Sequence, residues 1–197
     1  MSDNVKAVIL AAGEGKRMTP LTETRPKAML PVANKPILEH LITEGLKAGI
    51  SHFVIVVGYR SEMIQSYFGN GSKWGAVIEY ATQMKQLGTA HAVESVRSFI
   101  QGRFLLMNGD ILVQSNDISR MLHSSGFSMG IFEMANTEGL GTIMLSNNNV
   151  IAIHEKTDKP TSNMVNAGIY HLTIDIFDAI SRTQRSPRGE YELTDSL

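Results

Sequence analysis

A glycine-rich stretch near the N-terminus combines backbone freedom with positive charge. Gly13 and Gly15 follow a short apolar run, Arg17 comes two residues later, and Lys27 follows Pro26. Glycines let backbone N–H groups approach an anion closely, and guanidinium and ammonium groups bind phosphate oxygens. The pattern predicts a non-helical loop that encloses a polyphosphate.

Two better-known phosphate loops fit this stretch poorly. A dinucleotide fingerprint requires a third glycine where Met18 stands, and an acidic residue at the end of the next strand, which instead ends in Arg60. A P-loop requires glycine at the position of Leu10 and a hydroxyl at the position of Arg17. These mismatches argue against an NAD-dependent dehydrogenase and against a P-loop NTPase.

Further polar residues follow later strands. The side-chain amide of Gln83 offers a donor and an acceptor to the edge of a base, and Gly88 allows the base to lie on bare backbone. Thr89 begins a helix, whose first N–H groups suit an anion. Asp110 ends an apolar run, where one carboxylate together with phosphate oxygens and water could hold Mg²⁺.

Composition narrows the classes of protein. The 197 residues carry a net charge of −1 and contain no cysteine, so disulfides, thiolate metal sites and cysteine nucleophiles are excluded. The charge balance does not favour nucleic-acid or membrane-surface partners. The apolar stretch at residues 7–12 is too short for a signal peptide, and no run approaches the length of a membrane span. We expect a cytoplasmic protein.

Alternating strand and helix patterns place these residues. Apolar runs predict buried strands, and amphipathic segments predict helices between them; the strands cover residues 6–12, 52–59, 76–82 and 103–112, and the helices 35–50, 61–69 and 88–100. Repeated β-α-β units imply an α/β fold with a doubly wound, mostly parallel sheet. Ligands of such sheets bind beyond the carboxyl ends of the strands, where the residues above lie.

The second half follows a different pattern. Four strands separated by turns are predicted at residues 127–135, 141–147, 149–156 and 164–173, followed by a helix that Thr173 caps. This predicts a small extension of mixed strands. We treat residues 1–197 as a single domain, with a nucleotide-binding part at 1–125 and a sugar-phosphate-binding part at 126–197.

The stretch at residues 8–41 resembles the signature loop of the sugar-1-phosphate nucleotidyltransferases. The family pattern L-x-x-G-x-G-x-R-[ML]-x-P-L-T, then P-K-x-[ML]-[LV]-P-[VI] and K-P, is met at every position. The family includes glucose-1-phosphate thymidylyltransferases and N-acetylglucosamine-1-phosphate uridylyltransferases. The resemblance covers the whole chain and implies a Rossmann-like nucleotidyltransferase fold. The implied reaction joins UTP or dTTP to glucose 1-phosphate or N-acetylglucosamine 1-phosphate and releases pyrophosphate.

The resemblance also implies roles for individual residues. Catalysis would fall to Arg17, Lys27 and Asp110, with Asp110 holding the Mg²⁺ cofactor. Nucleotide binding would fall to Leu10, Ala11, Ala12, Gly13, Gly15, Gln83, Gly88 and Thr89. Sugar-phosphate binding would fall to Gly141, Glu155, Lys156, Asn166 and Gly168. The NTP and the sugar 1-phosphate would be the partners, and a homo-oligomer is compatible with this assignment.

Alternatives within the family remain open. Guanylyl-specific relatives, such as mannose-1-phosphate guanylyltransferase, usually carry Glu where Gln83 stands. Inactive regulatory relatives usually lose the Arg or Lys of the loop, whereas Arg17 and Lys27 are present. Residues 189–197 resemble the start of a family helix, beyond which relatives carry a second metal-binding carboxylate. We therefore expect a chain truncated at its C-terminus, with weak or no catalysis on its own.

Overall fold

A computed structural model describes residues 5–155 and 162–197. Within them the strands are β1 Lys6–Leu10, β2 Pro31–Val32, β3 Lys35–Pro36, β4 His52–Val57, β5 Val77–Thr82, β6 Phe104–Asn108, β7 Ser128–Glu133, β8 Thr142–Ser146, β9 Asn149–His154 and β10 Met164–Leu172. The α-helices of the same residues are α1 Ile37–Lys47, α2 Ser61–Phe68, α3 Thr89–Glu94, α4 Ser115–Leu122 and α5 Ile176–Arg182. Strands β2 and β3 form a small separate hairpin.

The described residues form one mixed eight-stranded sheet with the order β5-β4-β1-β6-β10-β8-β9, and β7 pairs with β10. Strands β5, β4, β1 and β6 run parallel, whereas β10 runs antiparallel to β6, β7 and β8. The carboxyl ends of the four parallel strands therefore meet at one edge. The loops after β1, β5 and β6 carry the predicted nucleotide-binding residues to that edge.

Helices cover both faces of the parallel half. Alternate residues of β1 point to opposite faces, so Ala7 and Ile9 pack with α1, α2 and α4, whereas Val8 packs with α3 and α5. All three residues are fully buried. The doubly wound architecture and the strand-rich extension that follows it are as predicted. No helix of the described residues is long and apolar enough to cross a bilayer.

The predicted helix at residues 88–100 is broken. Helix α3 ends at Glu94, and a separate 3₁₀ turn occupies Arg97–Phe99. The hydroxyl of Ser95 donates to the carbonyl oxygen of Ala92 at 2.7 Å, a local bond that competes with regular helix geometry. The core face still forms, because Val93 and Val96 are fully buried.

Three other elements depart from the sequence prediction. Helix α4 was not predicted, since Ile118 is its one fully buried residue and its apolar face is narrow. Helix α5 begins three residues after Thr173, whose hydroxyl bonds to Asp175 rather than capping the helix. The segment expected to start a helix forms no α-helix: residues 189 and 190 lie in a bend, and a 3₁₀ turn covers Leu193–Ser196.

Candidate active site

A cleft of about 910 Å³ lies at the carboxyl edge of the parallel strands. The loops after β1, β5 and β6 form its walls, which is where open α/β sheets place their ligand sites. Eleven of the predicted site residues line it: Leu10, Ala11, Ala12, Gly13, Gly15, Arg17, Lys27, Gln83, Gly88, Thr89 and Asp110. The structure therefore brings the predicted nucleotide-binding and catalytic residues together in one cavity.

The glycine-rich loop presents unpaired backbone donors to this cleft. Among the described residues, no acceptor pairs with the N–H groups of residues 13–16. Gly15 has a φ of +68°, and its carbonyl oxygen accepts a 2.9 Å hydrogen bond from the Thr22 hydroxyl, which fixes the turn. A Cβ on Gly13 would meet no atom within 4 Å, so the fold leaves open space above this residue. Successive free amides of this kind form an anion-binding concavity.

The principal cation and the principal carboxylate of the cleft contact each other. The Lys27 ammonium group forms an ion pair with Asp110 Oδ2, and both side chains are about one third exposed. Lys27 lies in a 3₁₀ turn after Pro26, and Asp110 lies two residues beyond β6. Because β1 and β6 are neighbours, their following loops face each other across the cleft. Arg17 is exposed on the same wall.

The Gln83 amide is held by protein groups rather than left free. Its Nε2 atom donates to the carbonyl oxygen of Gly88 at 3.1 Å and lies 3.1 Å from Nδ1 of His91. Both amide hydrogens are therefore engaged, and among the described residues nothing bonds to Oε1. In this orientation only the acceptor is left for a base, and the role of Gln83 in nucleotide binding stays a prediction.

The C-terminal segment closes the far wall of the cleft. Tyr191 N–H donates to the Leu87 carbonyl oxygen at 2.8 Å, and Ala90 N–H donates to the Tyr191 carbonyl oxygen at 2.9 Å. Leu193 N–H donates to Thr89 Oγ1 at 2.9 Å. A Cβ on Gly88 would lie 2.4 Å from the Tyr191 carbonyl oxygen, so only glycine allows this close approach.

A second cavity of about 180 Å³ adjoins the first. Gly141, Glu155 and Asn166, all predicted to bind the sugar phosphate, line it. Glu155 Oε1 accepts a 2.9 Å hydrogen bond from Thr194, and its Oε2 lies 3.8 Å from Nη2 of Arg188. The two cavities share residues of their walls, namely Thr89, Asn108 and Glu192. Ligands in the two cavities would therefore be direct neighbours.

Asn166 and Gly168 make contacts within the protein that stabilise the structure of β10. The Asn166 amide accepts from the Gly168 N–H at 2.9 Å and donates to the Tyr170 hydroxyl at 2.7 Å. Gly168 has a φ of +71° at a bulge of β10, and a Cβ there would lie 2.6 Å from Nδ2 of Asn108. Gly168 lines neither cavity but lets β10 pack against Asn108. Lys156 lies outside the described residues.

Several wall residues were not predicted. Arg188 brings positive charge to the second cavity and forms a 2.6 Å ion pair with Glu192, while Gln86 donates to the Ala12 carbonyl oxygen at 3.0 Å. Burial raises the pKa of Tyr170 to about 12, the charge of Glu155 adds to this rise, and the bond from Asn166 opposes it. The position of Arg188 depends on how residues 186–194 pack against α3, a contact between distant segments that has no local sequence pattern.

The described residues offer a magnesium ion only part of a coordination shell. No three His, Asp or Glu side chains of residues 5–155 and 162–197 come together as a metal site. Asp110 supplies one accessible carboxylate oxygen pair beside the glycine-rich loop. Mg²⁺ commonly takes one or two protein carboxylates and completes its shell with substrate phosphates and water. Asp110 thus suits an ion that arrives with a polyphosphate.

Comparison with solved structures supports the fold. The chain superposes on UDP-glucose pyrophosphorylase complexed with UDP-glucose with a TM-score of 0.88 and 25% identity, covering 99% of this chain and 86% of that one. It superposes on a putative glucose-1-phosphate thymidylyltransferase from Bacillus anthracis with a TM-score of 0.86 and 27% identity, covering 98% and 80%. The mixed sheet and its flanking helices therefore match the predicted nucleotidyltransferase fold.

Sequence comparison places the chain in a family. It is 42% identical to the bifunctional protein GlmU of Methanococcus maripaludis over 97% of its own length, but spans only 46% of that relative. It is 34% identical to the UTP–glucose-1-phosphate uridylyltransferase AglF of Haloferax volcanii over 98% of its length and 82% of the relative. The family model described as nucleotidyl transferase matches residues 6–197. The chain belongs to the nucleotidyl transferase family.

Proposed function

We propose that the protein transfers a nucleotidyl group from UTP or dTTP to glucose 1-phosphate or N-acetylglucosamine 1-phosphate. The observation that carries this proposal is the pair of adjoining cavities, which share Thr89, Asn108 and Glu192. One cavity has unpaired backbone amides and three cations, and the other has two carboxylates, two side-chain amides and a guanidinium. Two anionic substrates bound side by side could react directly.

The hydrogen-bonding groups at Gln83 and Gly88 favour a nucleobase edge with a particular order of donor and acceptor. Gln83 leaves only Oε1 as an acceptor, and among the described residues the N–H of Gly88 has no partner. Uracil and thymine present an N3–H donor beside the O4 acceptor, which complements this pair. Cytosine presents the reverse order at these positions. Guanine also presents a donor beside an acceptor, so a guanylyltransferase is the competing assignment.

The chemistry follows from charge. A phosphate oxygen of the sugar 1-phosphate attacks the α-phosphorus of the NTP, the bond to the β-phosphate oxygen breaks, and pyrophosphate leaves. A phosphate monoester is already anionic at neutral pH, so the attacking oxygen requires no general base. Arg17 and Lys27 would neutralise the polyphosphate and stabilise charge that develops on the leaving group. Mg²⁺ at Asp110 would supply further charge neutralisation when bound.

The direct test combines substrates. UTP, dTTP, CTP and GTP are each incubated with glucose 1-phosphate, N-acetylglucosamine 1-phosphate and mannose 1-phosphate, with Mg²⁺, and products are identified by mass spectrometry. We expect UDP- or dTDP-sugars with stoichiometric pyrophosphate. Products from GTP alone would contradict the pyrimidine assignment. Calorimetry that detects no NTP binding, together with no product from any pair, would contradict the whole proposal.

A further inference from the structure

The histidine beside Gln83 lies outside the residues already assigned to the site. His91 is in the first turn of α3, and its side chain is half-buried. Its Nδ1 atom lies 3.1 Å from Nε2 of Gln83, a side chain that is only 6% exposed. Because Gln83 is buried, the orientation of its amide is set by these neighbours and not by solvent.

The hydrogen bonds of the amide nitrogen determine that orientation. An amide nitrogen carries two hydrogens, and the Gly88 carbonyl oxygen accepts one of them. The remaining hydrogen points to His91 Nδ1, which can accept it only when the imidazole proton is on Nε2. If the amide flipped, Oε1 would face both the Gly88 oxygen and the lone pair of Nδ1. The Gly88 carbonyl oxygen therefore opposes the flipped amide, and His91 opposes it when the imidazole proton is on Nε2.

We propose that His91 is a positioning residue that selects the base by fixing the Gln83 amide. With its proton on Nε2, His91 accepts from Gln83 and leaves Oε1 directed at the N3–H of uracil or thymine. A flipped amide would instead offer its NH₂ group, which complements the unprotonated N3 of cytosine. This inference rests on the proposed function, and it assigns the discrimination of UTP from CTP to His91.

The kinetic test replaces the imidazole. His91→Phe keeps an aromatic ring but removes the acceptor, and His91→Gln restores an acceptor oxygen. His123→Phe is the matched control, because His123 is exposed just after α4 and its Nδ1 lies 2.6 Å from the Ser119 carbonyl oxygen of that helix. Dissociation constants and KM for UTP and CTP are measured for each variant, together with kcat at saturating UTP.

We expect His91→Phe to lower the ratio of UTP to CTP affinity about tenfold, the scale of one hydrogen bond. Its kcat at saturating UTP should stay within about twofold, since His91 touches no reacting phosphate. His91→Gln should recover part of the ratio, and His123→Phe should retain it fully. An unchanged ratio in His91→Phe would overturn the positioning role and leave the proposed function intact. No nucleotide binding by the unmodified protein would overturn both.

A spectroscopic measurement tests the same proposal on the unmodified protein. Long-range ¹H–¹⁵N correlation spectra report which imidazole nitrogen of His91 carries the proton, and a scalar coupling across the hydrogen bond would connect Gln83 Nε2 with His91 Nδ1. We expect the Nε2–H tautomer and a detectable coupling. A proton on Nδ1 in the neutral ring would overturn the proposal, whether or not His91→Phe folds.

Discussion

The ammonium group of Lys27 and the carboxylate of Asp110 are in direct contact, although 83 residues separate them in the chain. They meet because β1 and β6 are adjacent parallel strands whose loops end at the same edge. In this arrangement each group neutralises the other. Under the proposed function, a triphosphate would give Lys27 a second anionic partner and would free Asp110 to bind a cation.

Removing either member should slow turnover strongly. We expect Lys27→Ala and Asp110→Ala each to lower kcat by at least about 100-fold, the scale of losing one charge-stabilising group in an active site. Lys47→Ala is the control, because Lys47 forms an exposed 2.6 Å pair with Glu44 on α1. Pyrophosphate release reports the rates. Near-normal turnover in either cleft variant would contradict their catalytic assignment.

Substitution of Gly13 should weaken nucleotide binding without destabilising the fold. Gly13→Ala adds a methyl group to open space, so the free energy of unfolding should change by less than about 0.5 kcal/mol. Nucleotide affinity should nevertheless fall about tenfold, because the methyl group occupies the approach to the free amides. Denaturant titration and calorimetry measure the two effects. Unchanged affinity would place the phosphates elsewhere.

Gly88→Ala, in contrast to Gly13→Ala, should destabilise the fold. Gly88 has a φ of +116°, and a Cβ would clash with the Tyr191 backbone. We expect a loss of about 1–3 kcal/mol or more in the free energy of unfolding, the usual cost of such strain, before any effect on nucleotide is counted. A variant as stable as the unmodified protein in denaturant titration would show that the C-terminal segment does not approach Gly88 this closely.

Gln83→Glu should weaken the use of UTP and dTTP. The carboxylate lacks the hydrogens that the Gly88 oxygen and His91 accept, and it would face that carbonyl oxygen directly. We expect KM for UTP to rise about tenfold or more, since a buried acceptor loses its donor. Steady-state kinetics with UTP, dTTP and GTP measure this effect. A KM that stays unchanged for UTP would show that the amide does not set the base site.

The sequence predicted the parallel half well because its strands depend on local patterns, whereas the loop predicted to be non-helical contains a 3₁₀ turn at Lys16–Met18. Continuous apolar runs identified β1, β4, β5 and β6, and the strand-end rule indicated where their loops meet. The break at Ser95 was missed, because one side-chain hydrogen bond interrupts an otherwise regular helical pattern. Helix α4 was missed because Ile118 alone of its residues is fully buried.

At the site, residue types could be predicted but not their mutual orientation. The side of the Gln83 amide that faces the cleft depends on His91 and the Gly88 carbonyl oxygen, and no sequence pattern reports that choice. Tyr170, Arg188 and Thr194 reach the second cavity through packing between segments far apart in the chain. Gly168 looked like a ligand-binding position, whereas its backbone allows contact with Asn108.

His171 should make stability depend on pH below neutrality. Burial lowers the pKa of His171 from its ordinary value of 6.5, and the charge of Arg103 lowers it further. The unfolded chain therefore binds this proton more readily, so the free energy of unfolding falls as the pH drops below 6.5 towards the folded pKa. The slope is at most about 1.4 kcal/mol per pH unit for one proton. Urea titrations should show a smaller slope in His171→Gln and an unchanged one in His123→Gln.

Tyr170 should make the free energy of unfolding depend on pH under alkaline conditions. Burial raises the pKa of Tyr170 from 10.0 to about 12, so the folded protein holds the phenolic proton more tightly than the unfolded chain. Its contribution to stability is complete below pH 10 and is lost as the pH rises towards 12. Tyrosinate absorbance and chemical denaturation across this range measure the effect. Tyr170→Phe should flatten the decline, and an equally steep decline would contradict the buried phenol.

The bonds that join residues 87–90 to Tyr191 and Leu193 also impose an order of assembly during translation. The glycine-rich loop, Gln83 and Asp110 leave the ribosome long before Tyr191 has been made. Contacts between such distant segments form late, because the intervening chain must first be ordered. The cleft gains its last wall only after β10 and α5 have been synthesised. If the cleft binds a nucleotide as proposed, that nucleotide would stabilise a chain that contains residues 190–194 but would offer little protection to a nascent chain that still lacks them.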